Sequence, residues 1–164
     1  MTFCALSEAK GMDIIMEKTL VFFKPDAIER NIVDTIFEEF IFKNGFDVIR
    51  IKPMLVTKDL ITEHYKDNLK DKSEEIVRRV VDFYDGKWIL LLILQRENAI
   101  KKMREILGDS DPNTSGPETI RGKFGDDSYE LAENEKRSCR NIMHAADSQE
   151  SFQHEFSIWF KEVV

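Results

Sequence analysis

Cysteine is nearly absent from this sequence: Cys4 and Cys139 are the two among 164 residues, too few for a disulfide framework or a four-ligand metal site. A long apolar run is also missing. The longest, residues 88–94, has seven residues, against the ~20 that a membrane-spanning helix needs, so no membrane partner is expected. Nor is there an excess of positive charge. The 31 acidic and 24 basic residues leave a net charge of −7, which makes nucleic acid an unlikely main partner, because coating it needs a basic face. The N-terminus lacks a secretory apolar core, since residues 3–6 give way at once to Ser7 and Glu8. Together with the scarcity of cysteine, this points to a reducing, cytoplasmic compartment.

What is present suits a globular chain: 42% hydrophobic and 34% charged residues. The length favours one domain and allows burial of roughly two-thirds of the extended surface. Met12 and Met16 are alternative starts. Residues 1–15 are therefore set apart as a leader or appended extension, expected to be disordered.

Periodicity predicts alternating strands and helices. Residues 19–23 are β-prone and end at Lys24-Pro25, because proline cannot donate to a ladder. Ile32, Val33, Ile36, Phe37, Phe40 and Ile41 recur at helical spacing up to Asn44-Gly45. Residues 46–56 alternate as a second strand. A helical pair follows, whose second member buries Ile76, Val77, Val80, Val81 and Tyr84. Residues 88–94 are apolar on both faces, as in a central strand. Ile100, Met103, Ile106 and Leu107 mark a further helix that stops at Gly108. Residues 108–125 form a long loop of a kind that is commonly functional. Residues 126–139 are charged and patternless, 141–143 predict a short strand, and Asp147 or Ser148 caps a last helix. This order fits an α+β fold, a ferredoxin-like (split βαβ) antiparallel sheet with helices on one face.

Phosphate motifs of the commonest kinds fail. In residues 116–123, GPETIRGK, five residues separate the glycines instead of four, no Ser or Thr follows the lysine, and no helix is expected to open there. Of the three histidines, His64 and His154 fall inside predicted helices, where a structural role is the default. His144 lies between a short strand and a capped helix, beside Ala145 and Ala146, which leave room for a ligand. A helix N-terminus favours anions there, and a neutral imidazole is a competent phosphoryl acceptor. Lys24 sits at a strand end. Arg121 lies in the long loop, with the fork geometry that suits phosphate.

Lys24-Pro25-Asp26, then His64-Tyr65, then Thr119-Ile120-Arg121-Gly122, then Asn141-Ile142-Met143-His144-Ala145-Ala146-Asp147-Ser148 with Glu155 occur in this order. On these motifs the chain resembles the nucleoside diphosphate kinase family over residues 18–160. The resemblance implies an enzyme of ferredoxin-like fold, a phosphotransferase that passes the γ-phosphoryl group from a nucleoside triphosphate to a nucleoside diphosphate by ping-pong transfer through phosphohistidine. It makes His144 the acceptor, Glu155 the partner of the imidazole's other nitrogen, and Tyr65 an aid to its positioning. It also places Lys24, Arg121 and Ser110 on the phosphates and Asn141 on the ribose, and makes residues 108–125 the nucleotide-cleft loop. Mg2+ is implied as arriving on the nucleotide's phosphates, with no protein metal ligand, and a hexamer or tetramer of identical chains as the assembly.

The chain departs from the family pattern at several places. Ala146 replaces a serine that usually bonds to the catalytic network. Lys72 and Glu74 are the nearest counterparts of an arginine and a base-stacking phenylalanine, and the nucleotide is therefore expected to be held mainly by its phosphate end. An insert of about ten residues falls within 126–139 of a domain spanning 16–164. The other reading carried from the sequence is a catalytically weak nucleotide-binding relative that acts through protein partners.

Overall fold

The computed structural model describes residues 13–161, so most of the leader expected at 1–15 lies outside the described residues. Four strands form one antiparallel sheet in the order β2-β3-β1-β4. β1 (Met16–Phe23) starts three residues earlier than its apolar run, because Met16, Glu17 and Lys18 pair with Glu97, Arg96 and Gln95 of β3 (Trp88–Glu97). Ladder hydrogen bonds recruit these polar residues without any hydrophobic signal. Pro25 ends the strand and occupies the first turn of α1 (Pro25–Glu29), where a missing N–H costs nothing.

Alternation along β1 divides the core. Val21 and Phe23 pack with Leu92, Leu94 and Met103 on one face, while Leu20 and Phe22 pack with Leu91, Ile93 and Trp159 on the other. Helices therefore cover both faces, where the sequence led us to expect one. The first face carries α1, α2 (Val33–Ile36), the π-helical turn Phe37–Phe42 and α6 (Ala99–Leu107). The second carries α3 (Lys58–His64), α5 (Glu74–Tyr84) and α9 (Gln149–Trp159), with the short α4 (Lys66–Leu69) joining α3 to α5. Each fully buried Phe or Leu contributes about 1.5–3 kcal/mol, and both clusters draw on β1 and β3, which fixes these strands at the centre.

β2 (Asp47–Leu55) is an edge strand whose Ile49, Ile51 and Leu55 are exposed. A register shift between Val48 and Arg50 breaks the alternation that the apolar residues suggest.

Three loop readings change. β4 is Met143–Ala145, not 141–143, because Ile142 adopts φ +76°, which a strand does not accommodate. A short helix, α7 (Ile120–Phe124), does open in the GPETIRGK segment: the Thr119 hydroxyl accepts from Gly122 N–H and caps it. The insert is not structureless. It contains α8 (Tyr129–Asn134), capped by Ser128 and held by ion pairs instead of an apolar stripe, which is why periodicity did not reveal it.

Candidate functional site

Two glycines set the loop against the sheet. Gly108 ends α6 at φ +88°, and a Cβ on it would strike the Ser115 and Thr119 side chains. A Cβ on Gly122 would strike the Gly116 carbonyl, so α7 lies flat on the loop. Arg121, on that helix, is thereby driven under β4. Its Nε donates to Asn141 O (3.0 Å), and its two terminal nitrogens donate to Met143 O (2.7 Å) and Gly108 O (3.3 Å).

Ile142 is the bend that makes this arrangement possible. A β-branched residue at positive φ is strained. Two long-range bonds hold it: Ile142 N–H donates to Asp26 Oδ2 (3.1 Å), and Lys24 N–H donates to Ile142 O (2.8 Å). The bend turns the Asn141 side chain inward, where Oδ1 accepts from Lys24 Nζ (2.5 Å) and Nδ2 donates to Ser110 O (2.9 Å).

His144 is the middle residue of β4, opposite Phe22, whose ring stacks on the imidazole at 4.8 Å between centroids. Its Nε2 and Glu155 Oε1 are 2.8 Å apart, and among the described residues Nδ1 has no hydrogen-bond partner. Glu155 reaches it from α9, which a Ser148–Ser151 capping box starts just after β4. Burial, reinforced by the charges of Lys24, Arg104 and Arg121, pushes the His144 pKa down to about 3, so the ring is neutral at physiological pH. Burial, and then the Asp147 charge, raises Glu155 to about 8. Its Oε2 is buried without a partner. Burial and the nearby Arg121 lower Lys24 to about 8.

His64, Tyr65, Asn141, Lys24, Arg121 and Glu155 thus converge around His144, with the backbone of Ser110 beneath Asn141. Tyr65 approaches by its ring, 6.3 Å from the His144 centroid, while its hydroxyl pairs with Tyr84 (3.1 Å) and burial raises its pKa to about 12. Lys72 is not brought into this group: it is exposed and lines a separate cavity of about 510 Å3 on the outer side of α5.

Several neighbours were not legible in the sequence. His64 is buried, its ring set edge-on to His144 with 4.6 Å between centroids, and its Nδ1 accepts from Trp159 Nε1 (3.0 Å). Arg104 of α6 donates to Ala145 O (3.3 Å); its place one turn before Gly108 was the available signal. His64, His144 and Glu155 offer ligand atoms within 4.8 Å of one another. However, Nδ1 of His64 and Nε2 of His144 are both engaged, which argues against a metal bridging all three. A cavity of about 680 Å3 is lined by Glu17, Glu105 and Asp147 together with Lys101 and Arg104, and so carries no excess of positive charge for a phosphate.

A neutral imidazole with an unengaged nitrogen, close to cations that make no ion pair among the described residues, belongs to a class of site chemically suited to hold an anionic ligand against a nucleophile. The comparisons name the family. The nucleoside diphosphate kinase family model matches residues 17–164. The nucleoside diphosphate kinase of Methanocaldococcus jannaschii is 31% identical over 146 residues, 89% of this chain and 94% of the relative. That of Microcystis aeruginosa is 32% identical over 147 residues, 90% and 89% of the two chains. Among solved structures, the Borrelia burgdorferi enzyme, a transition-state mimic with bound vanadate and ADP, superposes with a TM-score of 0.83 at 25% identity, covering 90% of this chain and 88% of that one. The Aquifex aeolicus enzyme gives 0.73 at 28% identity, covering 91% and 98%. The chain belongs to the nucleoside diphosphate kinase family, and its fold and activity class are those of a phosphotransferase.

Proposed function

We propose that His144 is the residue through which this chain carries out nucleoside diphosphate kinase chemistry. One observation carries the reading: Glu155 engages Nε2 of a neutral imidazole and leaves Nδ1 unengaged among the described residues, with Lys24, Arg104 and Arg121 close enough to act on the ring. The Nδ1 lone pair attacks the γ-phosphorus of a nucleoside triphosphate, the N–P bond forms, and the bond from phosphorus to the β–γ bridging oxygen breaks. The diphosphate leaves with that electron pair. Positive charge developing on the ring is met by Glu155 through Nε2–H, and a second diphosphate reverses the steps.

Arg121 spends three of its N–H donors on carbonyls; a guanidinium has five, so two remain for phosphate oxygens. Lys24 supplies a second charge and Asn141 a ribose contact, with Ser110 and Tyr65 lining the same cleft. Lys72, exposed on a turn, has the weakest support. One oxygen of each cleft carboxylate is engaged, Asp26 Oδ2 by Ile142 N–H and Glu155 Oε1 by His144 Nε2, and the other is buried; two single buried oxygens make no metal cage, which fits a metal arriving on the nucleotide. Mg2+ bound to the phosphates would supply charge neutralisation during transfer.

We read residues 16–164 as one domain with its insert at 126–139, working in the cytoplasm. The exposed Ile49, Ile51 and Leu55 of the β2 edge favour a homo-oligomer, a hexamer or tetramer, since an unpaired apolar edge is unfavourable in water. Incubation with γ-labelled ATP tests the central claim. Acid-labile labelling is expected in the native chain and none in His144→Ala, at equal thermal stability. Label retained by that variant would refute it.

A further inference from the structure

Residues 66–82, which follow Tyr65, contain no aromatic side chain, and Lys72 and Glu74 are both exposed. The insert brings one from the opposite side. Its base is anchored at the cleft floor, because Asp127 accepts from Arg140 N–H (2.8 Å) immediately before Asn141. Both terminal nitrogens of Arg137 also bind Asp127, which closes the insert into a ring. Its far side is anchored to α5, where Glu133 accepts from the buried Arg79 (2.6 Å). Tyr129 and Glu133 are one helical turn apart and share a face, so the contact to Arg79 turns Tyr129 toward α5, the helix that carries Tyr84.

We propose that Tyr129 is the nucleobase platform of this enzyme, a stacking surface supplied by the insert in place of a residue after Tyr65. This rests on the reading of the cleft as a nucleotide site. The ring is 49% exposed and stacks on no described side chain, whereas the exposed Phe42 and Phe156 rest on Phe37 and Phe160. Ser128, which caps α8 immediately before Tyr129, donates its N–H to the same Asp127 that accepts from Arg140 N–H, so the start of α8 is tied to the segment that carries Asn141. An aromatic side chain with a free π-face, on a helix tied to the segment that carries Asn141, is chemically suited to stacking on a base and tolerant of which base it is.

Calorimetric titration of the full chain with ADP, CDP and inorganic tripolyphosphate, in the presence of Mg2+, tests this. Tyr129→Ala is expected to weaken ADP by about 5- to 100-fold, on the scale of one lost base–aromatic stack, and CDP by less, because a pyrimidine offers a smaller face. Tripolyphosphate, which has no base, should bind the variant and the native chain alike, and Tyr129→Phe should keep native affinity for all three. Unchanged or tighter ADP binding by Tyr129→Ala would overturn the proposal, and so would an equal loss for tripolyphosphate. If the native chain bound tripolyphosphate but neither nucleotide, the nucleotide reading itself would fail, and the platform with it.

Discussion

Two charged regions of this molecule lie side by side and are built on opposite rules. In the insert, carboxylates neutralise the cations. Arg137 holds Asp127 and Glu135, Arg79 holds Glu75 and Glu133, and Lys136 holds Glu133. In the cleft, Lys24, Arg104 and Arg121 make no ion pair among the described residues. They rest on an amide oxygen and backbone carbonyls. Neutral acceptors orient a cation and satisfy its donors without cancelling its charge, so the cleft stays poised for an anion. Carboxylates cancel the charge, so the insert is a brace. The difference shows why counting basic residues locates neither region: what matters is what each cation is bonded to.

The largest effect that would break this contrast comes from the cleft. Lys24→Met keeps the volume and removes the charge, and is expected to lower phosphoenzyme formation by about 10²–10³-fold, the scale of losing one preorganised electrostatic contact. Rapid-quench labelling at saturating ATP measures it. A loss below threefold would show that Lys24 is a structural cation like those of the insert.

Asp127→Asn tests the brace. Burial alone would raise the Asp127 pKa, but the bonds from Arg137, Arg140 N–H and Ser128 N–H outweigh it and hold it at about 2. The side chain is 2% exposed, and breaking its pairing should cost about 2–3 kcal/mol, or a fall in Tm of about 4–10 °C. A carboxylate with a depressed pKa stabilises fully above its unfolded value near 4 and loses that contribution as pH falls toward the folded value. Thermal melts of the two proteins should therefore converge between pH 4 and pH 2. A constant gap would locate the defect in packing instead of charge.

The smallest effects concern the imidazole pair. An ionised Glu155 accepts from Nε2–H and leaves the lone pair on Nδ1. A protonated Glu155 donates to Nε2 and moves the ring proton to Nδ1, where no nucleophile then remains. With Glu155 raised to about 8 and Lys24 lowered to about 8, phosphoenzyme formation should climb as pH rises toward 8, where Glu155 is half ionised, and fall above it as Lys24 loses its proton, a profile measurable by pH-jump labelling. Ala146→Ser restores the hydroxyl that the family pattern places in the catalytic network, and Glu155 Oε2 is buried without a donor among the described residues. A neutral bond of about 0.5–1.5 kcal/mol gives about a two- to tenfold gain in kcat at pH 7 and a shift of the rising limb to lower pH. An unchanged profile would show that another group sets it.

Much of this was legible before any coordinates. Lys24 at a strand end, Arg121 in the polar loop and His144 ahead of a capped helix could all be read locally, because strand ends, loops and caps leave signatures within a few residues. His64 and Arg104 could not. Each has an ordinary helical context, and their proximity to His144 depends on α3 and α6 packing against β1 and β4. Periodicity overstated β2, where a register shift moves Ile49 and Ile51 to the surface, and was silent on α8, which ion pairs between segments distant in sequence hold in place.

The sequence by itself determined the order of the four strands and the longer helices, the apolar character of residues 88–94 on both faces and the local setting of Lys24 and His144, since these follow from residue spacing and backbone propensity. Only the tertiary structure decided which cations make no ion pair among the described residues, which nitrogen of His144 is engaged, and that the insert crosses to Arg79. Those facts depend on distances between residues far apart in the chain. Burial then sets their chemistry, by deciding which charges water still solvates and which only another side chain, or a ligand, can meet.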